Sequence, residues 1–421
     1  MSSAKLKIWD QTIGYLFWDE RNQSTLFEID ESYLEQSFNL APILHPDKTQ
    51  SLNGNDYPKQ FKGMIPSFND SLPDSFGNIV FKEWLEQMNL DQSKMNPVEQ
   101  LLYVGKRGIG ALEYEVGKEI PNAMQSLDLN ELADISNKIL ERKYAQEDFI
   151  EDPQSLKNIL SIGSSVGGAQ AKILMAEAKD GHLMAGDILH PVPMDYYIVK
   201  LSHDPQNTWY REKNYVEFVY NEIARAIGIH VADSKLIQDE DRAHFASKRF
   251  DRVANQKLHL QTVNALTGFW GRSTAFGYKD IFKVIEYLKL PYPNTEQLYK
   301  QMLFNVLLSN KDDHTKNFSF IMDHQAKWSL SPAYDLTFPR DPYVSFQSLH
   351  QIHINGKTKD IDRADIIAVA KLAGIRNFNQ LIDQAIEGAA SFRKRMKAYP
   401  VSSKTIGLIE KAINQSIARM S

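Results

Sequence analysis

The sequence predicts an α+β protein of two lobes, strand-rich in its N-terminal half and helical in its C-terminal half. Three observations point there. The chain has 421 residues, 43% of them apolar, which is more core than one compact unit holds and favours two or three lobes in contact. β-Prone runs dominate the start of the chain and return from about residue 160. Beyond Asn255 the apolar residues recur almost entirely at helical spacing, broken by one conspicuous loop from Ser309 to Asp335.

Taken in order, Leu6 to Trp9 and Ile13 to Trp18 are strand candidates separated by a polar turn. The stretch from Pro46 to Gln60 is polar and reads as an exposed loop, and Asn69-Asp70 and Pro73 to Ser75 read as turns. Helical periodicity runs over Val80 to Met88 and Leu127 to Tyr144. A Ser/Gly-rich turn from Ser161 to Gly168 leads into a strand at Lys172 to Ala176, a hairpin at Gly181-His182 and a strand at Asp195 to Leu201. Tyr215, Phe218, Val219, Ile223 and Ile227 mark one helix face, with Gly228 as its stop.

Composition narrows the function. A formal charge of −5 and a pI near 6.1 argue against an intrinsic nucleic-acid binder. The absence of cysteine excludes disulfides, thiolate nucleophiles and Cys-ligated metals. The first residues lack the apolar core of a signal peptide, and the longest apolar runs, such as Met302 to Leu308, fall far short of a membrane span. The expectation is a soluble, cytoplasmic protein without membrane association.

The chemistry concentrates in Ser309 to Phe318. Phosphoryl transfer needs a carboxylate to take the proton of the attacking hydroxyl and oxygen ligands for Mg²⁺. Protein kinases supply an Asp and, five residues later, an Asn from one loop, then a second Asp after a strand pair. Asp312 and Asn317 have that spacing, and Asp335 follows Phe318 to Met322 and Lys327 to Leu330, a candidate hairpin. The plainer reading is a solvated turn using Asn and Asp for turn chemistry, and the second Asp argues against it. His314 can be a base, a ligand or, more often for such a residue, a buried strut that shapes the loop. Ser161 to Lys172 is a loop of small residues able to approach phosphate oxygens, though it matches no nucleotide-binding fingerprint. Lys200 sits inside the apolar run Tyr196 to Leu201, where a buried ammonium needs a counter-charge; ATP phosphates suit it, and Glu217 or Glu222 of the next helix can pair with it. An edge-strand lysine facing water is the alternative.

These segments, in this order, resemble the HipA family of serine/threonine-kinase toxins from bacterial toxin–antitoxin modules. Gly63 to Phe68 with Ser71 to Ser75 is similar to the family's N-terminal signature, and Ser165-Val166-Gly167-Gly168-Ala169-Gln170-Ala171-Lys172 to its Gly-rich loop. Ile198 to Leu201 resembles the strand with the ATP-contacting lysine, and Lys248 to Arg252 the adenine hinge. Asp312 to Ser319 resembles the catalytic loop and Ser331 to Asp335 the metal-binding segment. The resemblance implies a protein-kinase-like fold related to phosphoinositide kinases. Its expected units are an N-terminal subdomain over residues 1–150, an ATP-binding part over 151–254 and a helical lobe over 255–421.

The resemblance also implies roles. Asp312 is expected to be the base, Asn317 and Asp335 to hold Mg²⁺, and Lys200 to contact the α/β-phosphates of ATP. Ser164, Ser165, Val166, Gly167 and Gly168 are expected to cover the γ-phosphate with Lys172 close by. The backbone at Arg249 and Phe250 is expected to meet adenine, and His314 and Lys316 complete the nucleotide contacts. Ser165, with Ser164 as second candidate, occupies the position where autophosphorylation switches the family's kinases off, since a phosphoserine would repel ATP phosphates. Two departures concern substrate choice: His259 to Asn264 lacks an acidic pair, and Asp313 stands where a Gly is often found. The implied substrate is an aminoacyl-tRNA synthetase such as glutamyl-tRNA synthetase. The implied partner is a helix-turn-helix, HipB-like antitoxin, which brings the protein to operator DNA as a co-repressor. The rival readings are a small-molecule or lipid kinase on a related fold and a catalytically silent scaffold or co-repressor.

Overall fold

The computed structural model of the chain describes residues 2–73, 95–115, 170–202, 207–239, 242–270, 275–344 and 349–420, with scattered positions between 77 and 136. The architecture is mixed α+β, built on two five-stranded antiparallel sheets and a helical lobe. In the first sheet the strands β1 (Ser3–Ile8), β2 (Gln11–Asp19), β3 (Ser24–Ile29), β4 (Leu52–Asn53) and β5 (Leu112–Glu115) run in the order β4-β3-β2-β1-β5. Trp9 and Asp10, at φ 50° and 64°, make the tight turn between β1 and β2. Ala4, Leu6 and Ile8 alternate inward along β1, as a half-buried strand requires. They pack with Leu16, Trp18 and Phe27 against the short helix α1 (Pro66–Asn69) and helix α2 (Pro97–Val104).

Gly54 shows how tightly this subdomain is closed. A Cβ there would fall on the carbonyl oxygen of Gly63. That oxygen already accepts from the backbone N–H of Thr25 at 2.8 Å and its hydroxyl at 2.9 Å, so it has no room to retreat. Gly54→Ala is expected to lower stability by about 1–3 kcal/mol, the usual cost of overpacking, read as a lower melting temperature.

The second sheet contains β6 (Lys172–Glu177), β7 (Leu183–Ala185), β8 (Asp195–Lys200), β9 (Ser234–Asp239) and β10 (Arg242–Lys248), in the order β7-β6-β8-β10-β9. One face buries Ile173, Met175, Val199 and Ala246 with Phe81, Leu85, Leu129 and Leu132, so the described helical positions of 77–85 and 129–136 pack here. Helix α3 (Thr208–Ala226) connects β8 to β9. Asn207 caps it through the N–H groups of Trp209 and Tyr210, and Gly228 at φ 76° ends it, as the sequence predicts. Val216, Val219, Tyr220 and Ile223 carry α3 into the core of the helical lobe, so this helix belongs to both lobes.

A two-residue turn at Ala254-Asn255 joins β11 (Arg252–Val253) to β12 (Gln256–Lys257) and leads into β13 (His259–Thr262). The expectation of helix beyond Asn255 holds for α4 (Val263–Thr267), α5 (Tyr278–Tyr287), α6 (Tyr292–Leu307), α7 (Arg363–Leu372), α8 (Phe378–Ala390), α9 (Phe392–Met396) and α10 (Ser403–Ala418). Within it lies a sheet in which β13 pairs with the expected hairpin of β14 (Ser319–Met322) and β15 (Trp328–Leu330). Among the described residues no helix is long and apolar enough to cross a membrane.

Candidate active site

Lys200 ends β8, where Cα pairing sets it beside Lys172 on β6 and Phe245 on β10. Its Nζ donates to Oε1 of Glu217 on α3 at 2.5 Å and to Oδ1 of Asp335 at 2.6 Å. The lysine therefore joins the sheet, the shared helix and the segment after β15. Burial works against its ammonium, yet the carboxylates of Asp335 and Glu217 together raise Lys200 above the ordinary lysine range. Burial likewise opposes the charge of Asp335, and Lys200 outweighs it, holding this carboxyl well below the usual range. At Glu217 burial wins and pushes the carboxyl up. Asp335 also sits at φ 53°, a left-handed conformation that a side-chain-bearing residue keeps only where surrounding structure fixes it.

The loop carrying Asp312 is folded by its own polar groups. The N–H of His314 and the side-chain amide of Asn317 both donate to the carbonyl of Asp312, at 2.9 and 2.8 Å. That bond engages the amide nitrogen of Asn317 and leaves its oxygen as the atom able to bind a cation. His314 Nδ1 accepts from the N–H of Lys316 at 3.3 Å and caps the single 3₁₀ turn Thr315–Asn317, while Nε2 lies 3.8 Å from Asp312. The ring thus shapes the loop, though its outer edge faces the cleft rather than the core.

Asp312, Asn317 and Asp335 line one cleft of about 1340 Å³ with Lys172, Lys200 and Glu217. Phe250, whose ring centroid lies 5.8 Å from that of Tyr334, forms part of its wall. Arg249 is held differently. Its N–H donates to Tyr196 at 2.7 Å, and its buried guanidinium grips Asp251 and the carbonyl of Gly186. Lys316 lies over the Trp270 ring at 5.7 Å. Ser164, Ser165, Val166, Gly167 and Gly168 lie outside the described residues.

The donor set fits a magnesium nucleotide. Among the described residues no group of three or more His, Cys, Asp or Glu could hold a metal alone. A cation here would depend on the oxygens of Asn317 and Asp335 completed by phosphate and water, the arrangement Mg²⁺ accepts.

The roles of two residues could not be read from the sequence. Asp70, read as part of a turn, accepts from the N–H and hydroxyl of Thr262 at 2.8 and 3.0 Å and lines the cleft from the N-terminal subdomain. Asp313 is buried and receives Tyr278, His350 and Gln351. Nothing local marks either, because their partners lie 192 and between 35 and 38 residues away.

The profile of the HipA-like C-terminal domain matches residues 164–394, and that of the HipA N-terminal domain matches residues 4–115. Two proteins of Sinorhizobium fredii, each named as a supposed kinase, are similar in sequence. Y4dM is 25% identical over 214 residues, 46% of this chain and 52% of that one. Y4mE is 23% identical over 406 residues, 91% of this chain and 90% of that one. The chain thus spans about half the length of Y4dM and nearly all of Y4mE. Among solved structures, HipA of Shewanella oneidensis MR-1, determined with HipB and its operator DNA, has a TM-score of 0.65 at 16% identity, covering 99% of this chain and 96% of that one. That likeness shows a shared fold. With both domain profiles matched in order across its length, this chain belongs to the HipA family.

Proposed function

We propose that the chain is an ATP-dependent serine/threonine protein kinase whose base is Asp312. The observation that carries this reading is Lys200, buried between Glu217 and Asp335 and sharing a cleft with Asp312 and Asn317. A buried lysine needs a counter-charge, and a lysine tied to a helix carboxylate is how kinases position the one that meets ATP phosphates. In the reaction a seryl or threonyl hydroxyl of the substrate gives its proton to Asp312 while its oxygen bonds the γ-phosphorus. The bond from that phosphorus to the bridging oxygen breaks, and its electron pair leaves with ADP. Lys200 and Lys172 offset phosphate charge, and the backbone beside Arg249 and Phe250 faces adenine. Mg²⁺, when held by Asn317 and Asp335, supplies further charge neutralisation.

In this reading the protein is the toxin of a toxin–antitoxin pair. It phosphorylates an aminoacyl-tRNA synthetase, glutamyl-tRNA synthetase being the first candidate, and a helix-turn-helix antitoxin neutralises it and carries it to operator DNA. The net charge of −5 supports indirect rather than autonomous DNA contact. Autophosphorylation of Ser165, or of Ser164, would switch the enzyme off. The test is intact and peptide mass spectrometry after incubation with Mg²⁺ and ATP, beside an Asp312→Asn control. The expected result is one phosphate on Ser165 or Ser164 in the parent alone. A control that gains phosphate at the parent's rate would remove Asp312 from the base position.

A further inference from the structure

We propose that His350 and Gln351 are positioning residues for Asp312, a clamp that fixes the base by holding the residues on both sides of it; this rests on the kinase reading above. On one side, Gln351 Nε2 donates to the carbonyl of Lys311 at 3.3 Å. On the other, the N–H of Gln351 donates to Oδ1 of Asp313 at 2.8 Å, and His350 Nδ1 meets Oδ2 at 2.8 Å. A carboxylate oxygen accepts, so Nδ1 of His350 is the donor in this contact. The side chains of Asp313 and His350 are 0% and 3% exposed, which puts this contact inside the protein rather than at the cleft surface.

The clamp is itself anchored. His350 N–H donates to Thr358 at 2.9 Å, and a bridge between Gly277 and His353 joins the strip to the start of α5. From α5 the Tyr278 hydroxyl donates to Asp313 at 3.1 Å and accepts from Asn305 at 2.9 Å. Asn305 accepts from Asn310, whose amide also reaches the carbonyl of Asp335 at 3.4 Å. One buried network therefore spans from the residue after the base to the backbone of the metal-binding carboxylate.

Asp312 needs such support. Its side chain is 41% exposed, as a group that meets a protein hydroxyl must be, so the position of its backbone bears directly on where the carboxylate sits. A displacement of about 1 Å at such a group costs on the order of 100-fold in rate. His350→Leu should therefore lower the kcat of phosphate transfer about 100-fold while KM for ATP stays within about twofold, because the clamp touches no nucleotide. His350→Asn, whose amide can donate from near the Nδ1 position, should recover to within about tenfold of the parent.

The experiment measures kcat and KM for the parent, His350→Leu and His350→Asn, with hydrogen exchange of the peptide spanning residues 309–318. Faster exchange there in His350→Leu, with α6 exchanging as in the parent, supports the clamp together with the kinetic split. Parent-like kcat in His350→Leu overturns it while leaving the kinase reading intact. So does a joint loss of kcat and ATP affinity that Asn does not rescue, which would mean a general structural role. A parent that transfers no phosphate overturns the kinase reading and the clamp together.

Discussion

Lys200→Met is expected to abolish phosphate transfer and to lower stability by about 3 kcal/mol, the low end for breaking a buried ion pair. Methionine keeps the length and apolar stem of lysine, so the packing around β8 survives and the loss is electrostatic. Glu217 and Asp335, 5% and 31% exposed, would then face each other without the ammonium between them. The residual exposure of Asp335 is the reason for the low end of the range. The variant should also show a steeper pH dependence than the parent. Burial raises the Glu217 carboxyl even with Lys200 present, and removing the lysine raises it further. A carboxyl raised in the folded state binds more protons there than when unfolded, so stability falls as pH rises through its value. Thermal unfolding of Lys200→Met should thus improve from pH 8 to pH 5.5. In the parent, Asp335 is held below the ordinary carboxylate range and Lys200 above the ordinary lysine range, so that pair stays charged across this window. A variant that melts with the parent at both pH values would show that the lysine does not hold the two carboxylates.

The choice between Glu217 and Glu222 illustrates what was legible in the sequence. Both lie on one amphipathic helix, and both could reach Lys200 by sequence distance. Five residues on a 3.6-residue helix turn the side chain by about 140°, so only one can face β8. Glu217 is buried beside Lys200, and Glu222 meets Tyr399 on the flank. The pattern gave the helix, and packing gave its phase. The same limit hid β13. His259 to Thr262 pairs with β14 some sixty residues later, and its fully buried residues His259 and Gln261 are polar, so it shows no apolar alternation. By contrast β1, β2, β6 and β8 announce themselves through branched and aromatic residues close to their turns, and β14 and β15 through the turn at Asp323 to Gln325. The spacing of Asp312, Asn317 and Asp335 was visible because one loop and one hairpin position all three. The roles of Asp70 and Asp313 were not, since each acts through a partner that only the tertiary fold brings near.

The buried charge cluster of Arg249, Asp251 and Arg252 should have a stability effect at least as large as that of Lys200. Asp251 accepts from Arg249 at 2.9 and 2.8 Å, from Arg252 at 2.6 Å and from the N–H of Gly110 at 2.7 Å. Both guanidiniums are almost fully buried, at 0% and 1% side-chain exposure. Burial opposes the charge on Asp251, and the two arginines outweigh it, holding the carboxyl well below the usual range. Arg252, lowered to about 10 by burial and then by Arg249, is still charged at neutral pH. Asp251→Asn keeps the shape but leaves two buried cations without a counter-charge, and is expected to cost about 3–5 kcal/mol. Replacing all three charges together, as Arg249→Met, Asp251→Leu and Arg252→Met, should cost less than the single change, because no unpaired charge is left behind. The position of the cluster connects this to function. Arg252 also donates to the carbonyls of Gly108 and Gly110, so the cluster ties the N-terminal subdomain to the segment beside the cleft. ATP affinity measured by titration should therefore fall in Asp251→Asn along with the melting temperature. If stability falls and ATP affinity does not, the cluster holds the subdomains together without shaping the cleft.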